Sequence, residues 1–514
     1  MSILEAPIQA VPAATPGDDE GAQHPRADQL PAVIQGGMGV GVSSWQLARA
    51  VAAHDGLGVV SGVAPDLLLA RWLQDGDPGG HVVAAMADYP DQGFVERTLD
   101  RYYRPGGREP GASYRPIQRL DHHQRLPAVR LTSLGTYVQV RLAKSGHSGT
   151  IGINLLEKIQ LWTPAVLLGA MIADVDVVLV GAGLPTQVPR MLDGLAKGEP
   201  VTMPIDVVDA APGENFSISL DPHEVVPGLR PPLHRPAFLA IVSSHVLAAY
   251  LARDELTRPD GFVVEAPIAG GHNAPPRKME LDAGGEPVYG PRDVADLAKL
   301  RAVGLPFWLA GGQAGPDHLA DAQREGAHGV QLGTVFALCH ESGLARPLRT
   351  TVLNGISSDQ THVRADPQAS PTGFPFKVVD VPGSVADEAV YEQRGRHCDL
   401  GYLRTPFRRA DGSIGQRCPA EPVDVYVRKG GREEDTVGRK CLCNGLTASA
   451  GLPQVRHGEF VEPPLVTLGH DLNSVRTLLA KHPDGWSAAD VMAWMDQARP
   501  SSAASSHNSS RTAG

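Results

Sequence analysis

The sequence predicts an α/β protein built as a (β/α)8 barrel, the TIM-barrel class. Short apolar runs alternate along the chain with segments of helical periodicity, which is the pattern of parallel strands joined by helices. Eight such runs occur, and several of them end in glycine-rich turns. A doubly wound open sheet is the alternative fold, because it shows the same alternation.

The eight predicted strands are spread over the first two thirds of the chain. They begin near Ala32, Leu57, Thr150, Asp176, Ala237, Gly261, Pro306 and Gly329. Helical patterns follow most of them, over residues 44–53, 157–172, 187–196, 244–252, 291–302, 316–325 and 335–339. Pro291 and Pro316 suit the first helical position, where the missing N–H costs nothing.

Two segments lie outside a minimal barrel. Residues 63–148 are rich in Arg, Tyr, Pro and Gly with little periodicity, and we interpret them as an insertion after strand 2. Residues 376–470 hold four of the five cysteines among many turn residues, which indicates a loop-rich cysteine module. The predicted boundaries are 1–29 for a disordered N-terminus, 30–375 for the barrel, 376–470 for the module, 471–499 for a helical segment and 500–514 for a disordered tail.

The composition excludes several classes of partner. The net charge is −11 and no basic block occurs, which argues against nucleic acid and against an anionic membrane. No apolar run reaches the roughly 18 residues of a membrane span, and the N-terminus lacks the basic-then-apolar pattern of a signal peptide. We therefore expect a cytoplasmic protein whose cysteines are thiols or metal ligands rather than disulfides.

Two glycine turns at the ends of the last two predicted strands indicate a phosphate site. Gly311-Gly312 and Gly333-Thr334 offer backbone N–H donors and allow a ligand to approach closely, and Thr334 adds a hydroxyl. Pro316 starts a helix after the first pair, and its dipole favours an anion. Each pair alone is also consistent with a plain tight turn. Together, in the loops where barrels bind phosphate, they predict a phosphorylated cofactor.

Three further strand ends carry candidate ligand-binding groups. His272 follows Gly270-Gly271, and a near-neutral imidazole at a barrel mouth fits proton transfer, although most histidines are structural. Asn154 ends another apolar run, where it either hydrogen-bonds a cofactor ring or caps the next helix. The loop after the first strand, 36–43, lacks the spacing of a dinucleotide fingerprint. It is either a backbone surface for a flat ring system or a turn capped by a serine.

Five short motifs occur in order along the chain. They are Gln35-Gly36-Gly37-Met38-Gly39, Gly152-Ile153-Asn154-Leu155, Ala269-Gly270-Gly271-His272, Leu309-Ala310-Gly311-Gly312 and Val330-Gln331-Leu332-Gly333-Thr334. Together they resemble the nitronate monooxygenase family, once called 2-nitropropane dioxygenases. That family also includes flavin-dependent enoyl reductases of fatty acid and polyketide synthases and some NAD(P)H:quinone reductases. The resemblance covers about residues 30–375, outside the 63–148 insertion.

The resemblance implies a TIM barrel that binds FMN non-covalently, with His272 as the catalytic acid or base. The implied cofactor-binding residues are Gly37, Met38, Asn154, Gly270, Gly271, Gly311, Gly312, Gln331, Gly333 and Thr334. The sequence departs from the family at 239–245, where relatives often carry a lysine that reaches the flavin. Ser243 and Ser244 stand in that region here.

The most favoured function is a nitronate monooxygenase, which oxidises alkyl nitronates with O2 to carbonyl compounds and nitrite. The alternative is an NAD(P)H-dependent reductase of enoyl thioesters or quinones, in which the 63–148 insertion and the cysteine module would dock a carrier protein. A third, non-enzymatic interpretation is a degenerate barrel that serves as an assembly subunit. The intact phosphate loops argue against it.

The cysteine module leaves three interpretations open. Cys398, Cys418, Cys441 and Cys443 lie close together in the sequence, and a loop-rich segment of this kind can fold around structural zinc. Their spacing contains one Cys-x-Cys and no Cys-x2-Cys pair. Free thiols packed in a small core and an iron–sulfur cluster are the other two interpretations. Cys339 follows the last predicted strand and is expected to be buried.

Overall fold

The computed structural model describes residues 26–456 and 460–498. The strands are β1 Val33–Gln35, β2 Gly58–Ser61, β3 Ile151–Leu156, β4 Val177–Gly181, β5 Val201–Ile205, β6 Phe216–Leu220, β7 Ala237–Val242, β8 Gly261–Glu265, β9 Phe307–Ala310, β10 Gly329–Leu332, β11 Val363–Asp366, β12 Phe376–Val379, β13 Thr405–Arg408, β14 Ile414–Arg417, β15 Val455–Arg456 and β16 Phe460–Val461.

The helices are α1 Trp45–Ala52, α2 Pro65–Gln74, α3 His81–Met86, α4 Gln92–Tyr102, α5 Leu126–Ala143, α6 Thr163–Ile172, α7 Val188–Lys197, α8 Pro222–Val225, α9 His245–Ala252, α10 Leu297–Val303, α11 Pro316–Arg324, α12 Thr334–Ala337, α13 Arg346–Ser357, α14 Glu388–Gln393, α15 Val423–Arg428, α16 Leu442–Ser449, α17 Asn473–Lys481 and α18 Ala488–Met495. None of the helices in the described residues is long and apolar enough to span a bilayer.

Eight parallel strands close into a barrel. Their order is β1-β10-β9-β8-β7-β4-β3-β2, and every pairing within it is parallel. The two ends of this order meet, because Leu57 donates to the carbonyl of Val33 (2.9 Å) and Gln35 donates to the carbonyl of Leu57 (3.0 Å). The (β/α)8 prediction is therefore confirmed, and the open doubly wound sheet is excluded by this closure.

The barrel interior forms its own apolar cluster. Alternate strand residues point inward, among them Ile34, Val59, Leu179 and Trp308, all buried. Ala27 and Leu30 belong to the same cluster and close the end of the barrel where the strands begin. Because that end is plugged by packed side chains, the open end is the one where the strands finish, as in TIM barrels generally.

All eight barrel strands begin within one residue of the predicted position. The pattern at 291–302 is not one helix, because Asp296 interrupts it. The structure has a 3-10 turn at Pro291–Asp293, and the carboxylate of Asp296 then caps α10 by accepting from the N–H of Lys299 (3.2 Å). Such capping residues favour a helix start over a helix interior.

The 63–148 segment, in which no helix was predicted, contains α2, α3, α4 and α5. Helix α5 packs against α2 and α6, and most of its residues are buried. A helix that is buried on most sides lacks the polar face that produces an amphipathic period. This explains why the residues of α5 show little periodicity.

The C-terminal residues add to the barrel rather than standing apart from it. β11 and β12 form an antiparallel pair, and Phe376 of β12 also pairs with His272 in the loop after β8. Asn273 donates to the carbonyl of Pro375, and Lys377 donates to the carbonyl of Gly271, both at 2.9 Å. The boundaries of the predicted cysteine module and helical segment stay predictions. Disorder was predicted for residues 1–29 and 500–514, and of these residues 1–25 and 500–514 lie outside those described, whereas Ala27–Gln29 form a 3-10 turn.

Candidate active site

A cavity of about 250 Å³ lies at the open end of the barrel. Every barrel residue selected from the sequence lines it, namely Gly37, Met38, Asn154, Gly270, Gly271, His272, Gly311, Gly312, Gln331, Gly333 and Thr334. These residues come from the ends of five strands that are far apart in the sequence. The closed barrel brings them together, whereas their individual roles stay predictions.

Buried hydrogen bonds fix the loop after β1. The Gln35 amide donates to the Ser43 hydroxyl and to the carbonyl of Gly36, both at 2.7 Å, and its carbonyl accepts from Val59 N–H (2.9 Å). Ser43 accepts from the N–H of Met38 (2.8 Å). Ser44 caps α1 through Leu47 N–H (3.1 Å). The loop is thus a rigid backbone surface at the cavity, which suits a flat ring.

Asn154 stands beside this loop and does not cap a helix. A Cβ placed on Gly37 would lie 2.0 Å from Cβ of Asn154, so only glycine permits this approach. The Asn154 carboxamide lines the cavity and has no side-chain hydrogen bond to the described residues, while its backbone carbonyl accepts from Gly62 (2.8 Å). Its donor and acceptor are therefore available to a ligand.

The two predicted phosphate loops present unused donors. The N–H groups of Gly312, Gln313 and Thr334 have no acceptor within the described part of the chain, and all three residues line the cavity. A Cβ on Gly333 would meet nothing within 4 Å, so open space lies in front of this residue. Convergent free N–H groups with close backbone approach fit an anionic group such as phosphate.

Gln331 gives a second indication that this cavity binds a ligand. Its side-chain oxygen is buried and has no hydrogen-bond partner among the described residues, and Gln331 lines the cavity. Buried polar atoms without a partner are rare in folded proteins, because leaving one unpaired costs about 1–3 kcal/mol. A donor on a bound cofactor would satisfy this oxygen, so the residues present fit a phosphate-bearing ring cofactor.

His272 is a neutral imidazole at the cavity wall. Its Nε2 lies 2.7 Å from the Ser370 hydroxyl, which in turn lies 2.8 Å from the Thr372 hydroxyl, and its ring packs edge-on against Phe376 (4.8 Å between centroids). Burial lowers the pKa of His272 to about 4. The ring therefore carries no charge at neutral pH, and Nδ1 has no partner among the described residues.

Glu265, the last residue of β8, is a titratable group whose role sequence reasoning missed. It lines the cavity, and burial raises its pKa to about 8, an effect that the charge of Lys377 partly offsets. The carboxyl group is therefore mostly protonated at neutral pH. Burial also lowers the pKa of Lys377 to about 8. A carboxyl directly after the apolar run 261–264 was the available signal, but its burial could not be known from sequence.

The C-terminal half of the chain builds an apolar wall that sequence reasoning also missed. Tyr402, Leu403, Leu442, Cys443 and Leu446 line the cavity on this side. Tyr402 is held by its hydroxyl, which donates to Asp66 (2.6 Å), and by a ring contact with Trp162. No local pattern in these segments marks them as part of a site.

A second C-terminal segment, residues 467–471, ties the wall to the barrel loops. The Thr467 hydroxyl accepts from Gly271 N–H, and Gly469 N–H donates to the Thr334 hydroxyl, both at 2.9 Å. Thr334 keeps its hydroxyl hydrogen for a ligand. Asp471 also lines the cavity, and its carboxylate would lie 3.9 Å from a Cβ placed on Gly312.

The structure does not support structural zinc at Cys398, Cys418, Cys441 and Cys443. Among the described residues, no three or more His, Cys, Asp or Glu side chains are arranged to hold a metal ion. All five cysteines are free, and burial raises the pKa of Cys441 to about 11, which disfavours the thiolate that zinc requires. The zinc and iron–sulfur interpretations are therefore replaced by free thiols. Cys339 is fully buried, as expected.

No protein-family model and no curated protein matches this chain. Solved structures similar to it include FabK from Thermotoga maritima, at 15% identity and a TM-score of 0.44, with 91% of this chain and 92% of that chain covered. Another is a nitroalkane oxidase from Streptomyces ansochromogenes, at 14% identity and a TM-score of 0.42, with 91% and 96% covered.

A third is the enoyl reductase domain of MlnA from Bacillus amyloliquefaciens, at 11% identity and a TM-score of 0.44, with 91% of this chain and 94% of that chain covered. At these identities and TM-scores the likeness carries no activity over to this chain. Its function has to be argued from the site.

Proposed function

We propose that this protein is an FMN-dependent oxidoreductase that reduces enoyl thioesters. The observation that carries this proposal is the carboxyl group of Glu265, which lines a cavity that also presents unused phosphate-binding donors and whose pKa is raised to about 8 by burial. Reduction of a conjugated double bond requires a hydride at one carbon and a proton at the other. A buried acid whose pKa is near the working pH is suited to supply that proton.

The cofactor is assigned from the residues that would hold it. The N–H groups of Gly312 and Thr334 would bind the phosphate, the backbone at Gly37 would lie against the ring, and Asn154 and Gln331 would hydrogen-bond to it. Bound FMN would supply hydride transfer, which no side chain can perform. The protein's part is to bind, orient and control protons.

His272 and Glu265 have separate tasks in this proposal. The neutral imidazole of His272, held through Nε2 by Ser370, turns its other ring nitrogen to the thioester carbonyl. As Nδ1–H it donates a hydrogen bond that stabilises the negative charge developing on that oxygen. The Glu265 carboxyl delivers its proton to the carbon next to the carbonyl. This division follows from environment, because burial keeps both groups uncharged at neutral pH.

The apolar wall favours an acyl chain as the substrate. Leu403, Leu442 and Leu446 give the C-terminal side of the cavity an aliphatic surface that a small nitronate would not use. Burying aliphatic carbon is worth about 0.8 kcal/mol per methylene, so a chain of several carbons gains substantial affinity there. We propose NAD(P)H as the reductant and a thioester on a carrier protein as a substrate form.

Nitronate oxidation is the second candidate, and the position of His272 at the cavity wall favours it. A neutral imidazole can take the α-proton from a nitroalkane or donate a hydrogen bond to the nitro group of a nitronate, which would then react with O2 to give a carbonyl compound and nitrite. Nitronate oxidation needs no proton from Glu265. The two candidates therefore differ in whether the Glu265 carboxyl is required.

One experiment separates these functions. The purified full-length chain is loaded with FMN, and absorbance at the flavin band is followed anaerobically after addition of NADPH, NADH or an alkyl nitronate. Bleaching by a nicotinamide, followed by recovery when an enoyl thioester is added, supports the reductase. Bleaching by the nitronate alone supports the monooxygenase. A protein that binds no FMN contradicts both.

A further inference from the structure

Glu265 lines two cavities at the end of β8. One is the active-site cavity, and the other has a volume of about 160 Å³ and is lined by residues that follow β7 and β8. Among the described residues, Glu265 is the only one that lines both. The two spaces therefore meet at Glu265, whose carboxyl group has no hydrogen bond to any side chain or backbone group in the described part of the chain.

The wall of the second cavity is polar. Ser243 and Ser244, which directly follow β7, line this cavity and not the active-site cavity. The Ser243 hydroxyl has no partner within the described residues, and the Ser244 hydroxyl caps α9 by accepting from Leu247 N–H (3.3 Å). The Tyr289 hydroxyl donates to the carbonyl of Ala274 (3.1 Å), so its oxygen can still accept. These groups can hydrogen-bond to water.

Asn273 indicates that the second cavity holds a hydrogen-bond donor. This residue lines the cavity and is only 2% exposed. Its Nδ2 group donates to the carbonyl of Ala269 (3.1 Å), which fixes the orientation of the carboxamide, whereas Oδ1 is buried without a partner among the described residues. Water satisfies buried polar atoms of this kind, and a volume of about 160 Å³ holds about five water molecules at liquid density.

The second cavity reaches the protein surface. Pro275, Arg277 and Arg292 line it and are exposed, so they mark its mouth. Asp293 also lines it, and both of its carboxylate oxygens accept backbone N–H groups. In the active-site cavity, by contrast, a bound cofactor and acyl chain would separate Glu265 from solvent. The second cavity would stay open while that site is occupied.

We propose that the second cavity is the path by which Glu265 regains a proton from solvent after each turnover. This inference rests on the proposed reductase function, in which the carboxyl group gives its proton to the substrate and becomes a carboxylate. A water in the second cavity donates a proton to that carboxylate and takes one from the next water, and bulk solvent at the mouth replaces the last. At each transfer one O–H bond breaks and one forms, and no electrons are exchanged.

Two other titratable groups lie near Glu265. Lys377 of β12 acts on Glu265 through its charge, but Lys377 lines neither of the two cavities. Burial raises the pKa of Tyr289 to about 12, so its hydroxyl keeps its proton at neutral pH and can only relay protons through hydrogen bonds. Water in the second cavity is therefore the direct proton source for Glu265.

The first test measures proton exchange at Glu265 and needs no turnover. The full-length chain is loaded with FMN and a saturated acyl thioester, which fill the active-site cavity, and is mixed rapidly with D2O at pH 7. The infrared carbonyl band of the protonated carboxyl shifts on exchange, and its absence from Glu265→Gln assigns it. Ser243→Leu, which fills the second cavity, should slow this exchange about 10-fold or more. Equal exchange rates in Ser243→Leu and wild type would overturn the proposal.

The second test separates the first turnover from later ones. Glu265 carries its proton at the start, so flavin reoxidation by an enoyl thioester in a single turnover should be equally fast in Ser243→Leu and wild type. The steady-state rate of Ser243→Leu should fall about 10-fold, after a burst of one product per chain. A loss of the first turnover as large as the steady-state loss would show that Ser243 affects the chemistry rather than the path, and would overturn the proposal.

Two further variants control for a folding defect. Ala274→Leu fills the same cavity from a different segment and should slow exchange and steady-state turnover as Ser243→Leu does. Ser217→Leu, at an exposed position of β6 outside both cavities, should behave as wild type does. If wild type does not reduce the thioester but the cavity-filling variants still slow exchange, the proposed function fails and the proton path remains. If wild type reduces the thioester and neither variant slows exchange, the path fails and the reductase remains.

Discussion

One cavity has two walls of different origin. The barrel wall consists of strand ends and glycine loops between residues 36 and 334, and it carries the titratable groups His272 and Glu265 together with the free N–H donors. The C-terminal wall consists of segments between residues 402 and 474, and it contributes mainly aliphatic side chains and Thr467. In the proposed function, the barrel wall would supply the groups that bind the cofactor and transfer protons, whereas the C-terminal wall would supply the surface for an apolar substrate.

Chemistry and selectivity are therefore separable in this molecule. The barrel loops are anchored to the strands of a closed sheet, which holds the reacting groups rigidly. The C-terminal wall is held at the site by hydrogen bonds such as that from Gly271 N–H to the Thr467 hydroxyl and that from the Tyr402 hydroxyl to Asp66. Changes in the barrel wall should therefore affect catalysis and cofactor binding, and changes in the C-terminal wall should affect substrate preference.

The largest expected effect is at Glu265. Glu265→Gln keeps the shape and removes the proton, so turnover with an enoyl thioester should fall about 10²- to 10⁴-fold while NADPH still bleaches the flavin. In the wild type, activity needs the protonated carboxyl, so it should decline as pH rises through about 8. Steady-state rates from pH 6 to 10 measure this, and the variant should lack the decline.

Stability gives an independent check on the same group. The pKa of Glu265 is raised from 4.5 to about 8 in the folded state, so the folded chain keeps a proton that the unfolded chain releases at lower pH. The contribution of Glu265 to the free energy of unfolding is therefore fully present below pH 4.5 and is lost as pH rises through about 8. Urea unfolding should show Glu265→Gln gaining stability relative to wild type between pH 6 and 9. Glu286→Gln, a carboxylate near Lys377 that does not line the cavity, is the control. A full loss of turnover in that control would contradict a special role for Glu265.

Substitution of Gly333 tests whether the barrel wall binds the cofactor. A Cβ there meets nothing within 4 Å and its backbone φ is negative, so Gly333→Ala should fold normally while its methyl enters the space before the free N–H groups. The Kd for FMN should rise about 10- to 100-fold, the cost of one badly placed methyl. Fluorescence titration of FMN measures it. Gly93→Ala, in α4 and outside the cavity lining, should bind FMN as wild type does. Unchanged binding in Gly333→Ala would remove this loop from the site.

The barrel wall could be predicted from the sequence because its signals are local. Barrel strands are buried on both faces, so each reads as a continuous apolar run, and the glycines after them mark the loops. The N–H donors of Gly312 and Thr334 follow from this placement. The pKa of Glu265 could not be predicted, because the burial of this carboxyl depends on which residues pack over the end of the strand. One of them is Lys377, which lies more than a hundred residues away in the sequence.

The C-terminal wall could not be predicted, because its placement depends on long-range contacts. The Tyr402 hydroxyl donates to Asp66 across more than three hundred residues, and nothing in the local sequence around Tyr402 specifies that partner. The four cysteines illustrate the same limit. Their closeness in sequence suggested a metal site, whereas the fold places Cys443 at the cavity and, among the described residues, arranges no three of these side chains to hold a metal ion.

Substitution of Leu446 tests whether the C-terminal wall binds the acyl chain of the substrate. Leu446→Ala removes aliphatic surface from the C-terminal wall, so kcat/KM for a long-chain enoyl thioester should fall about 10-fold, the value of burying part of a leucine side chain. The rate with a four-carbon enoyl thioester and the rate of flavin reduction by NADPH should not change. Leu479→Ala, which packs in the core but does not line the cavity, is the control. An equal loss with short and long chains would show that this wall does not select chain length.

Asp471 is an exception to this division of roles between the two walls. Its substitution should have the smallest effect of the variants proposed. It belongs to the C-terminal wall, yet its carboxylate lies close to Gly312 of the phosphate loop, where one negative charge should repel another. Asp471→Asn should therefore lower the Kd for FMN about 2- to 5-fold, the scale of a partly exposed charge interaction. Salt should reduce the difference between variant and wild type, and riboflavin, which has no phosphate, should bind both equally. If riboflavin gains as much as FMN does, then Asp471 faces the ring rather than the phosphate, and the phosphate lies deeper, toward Thr334.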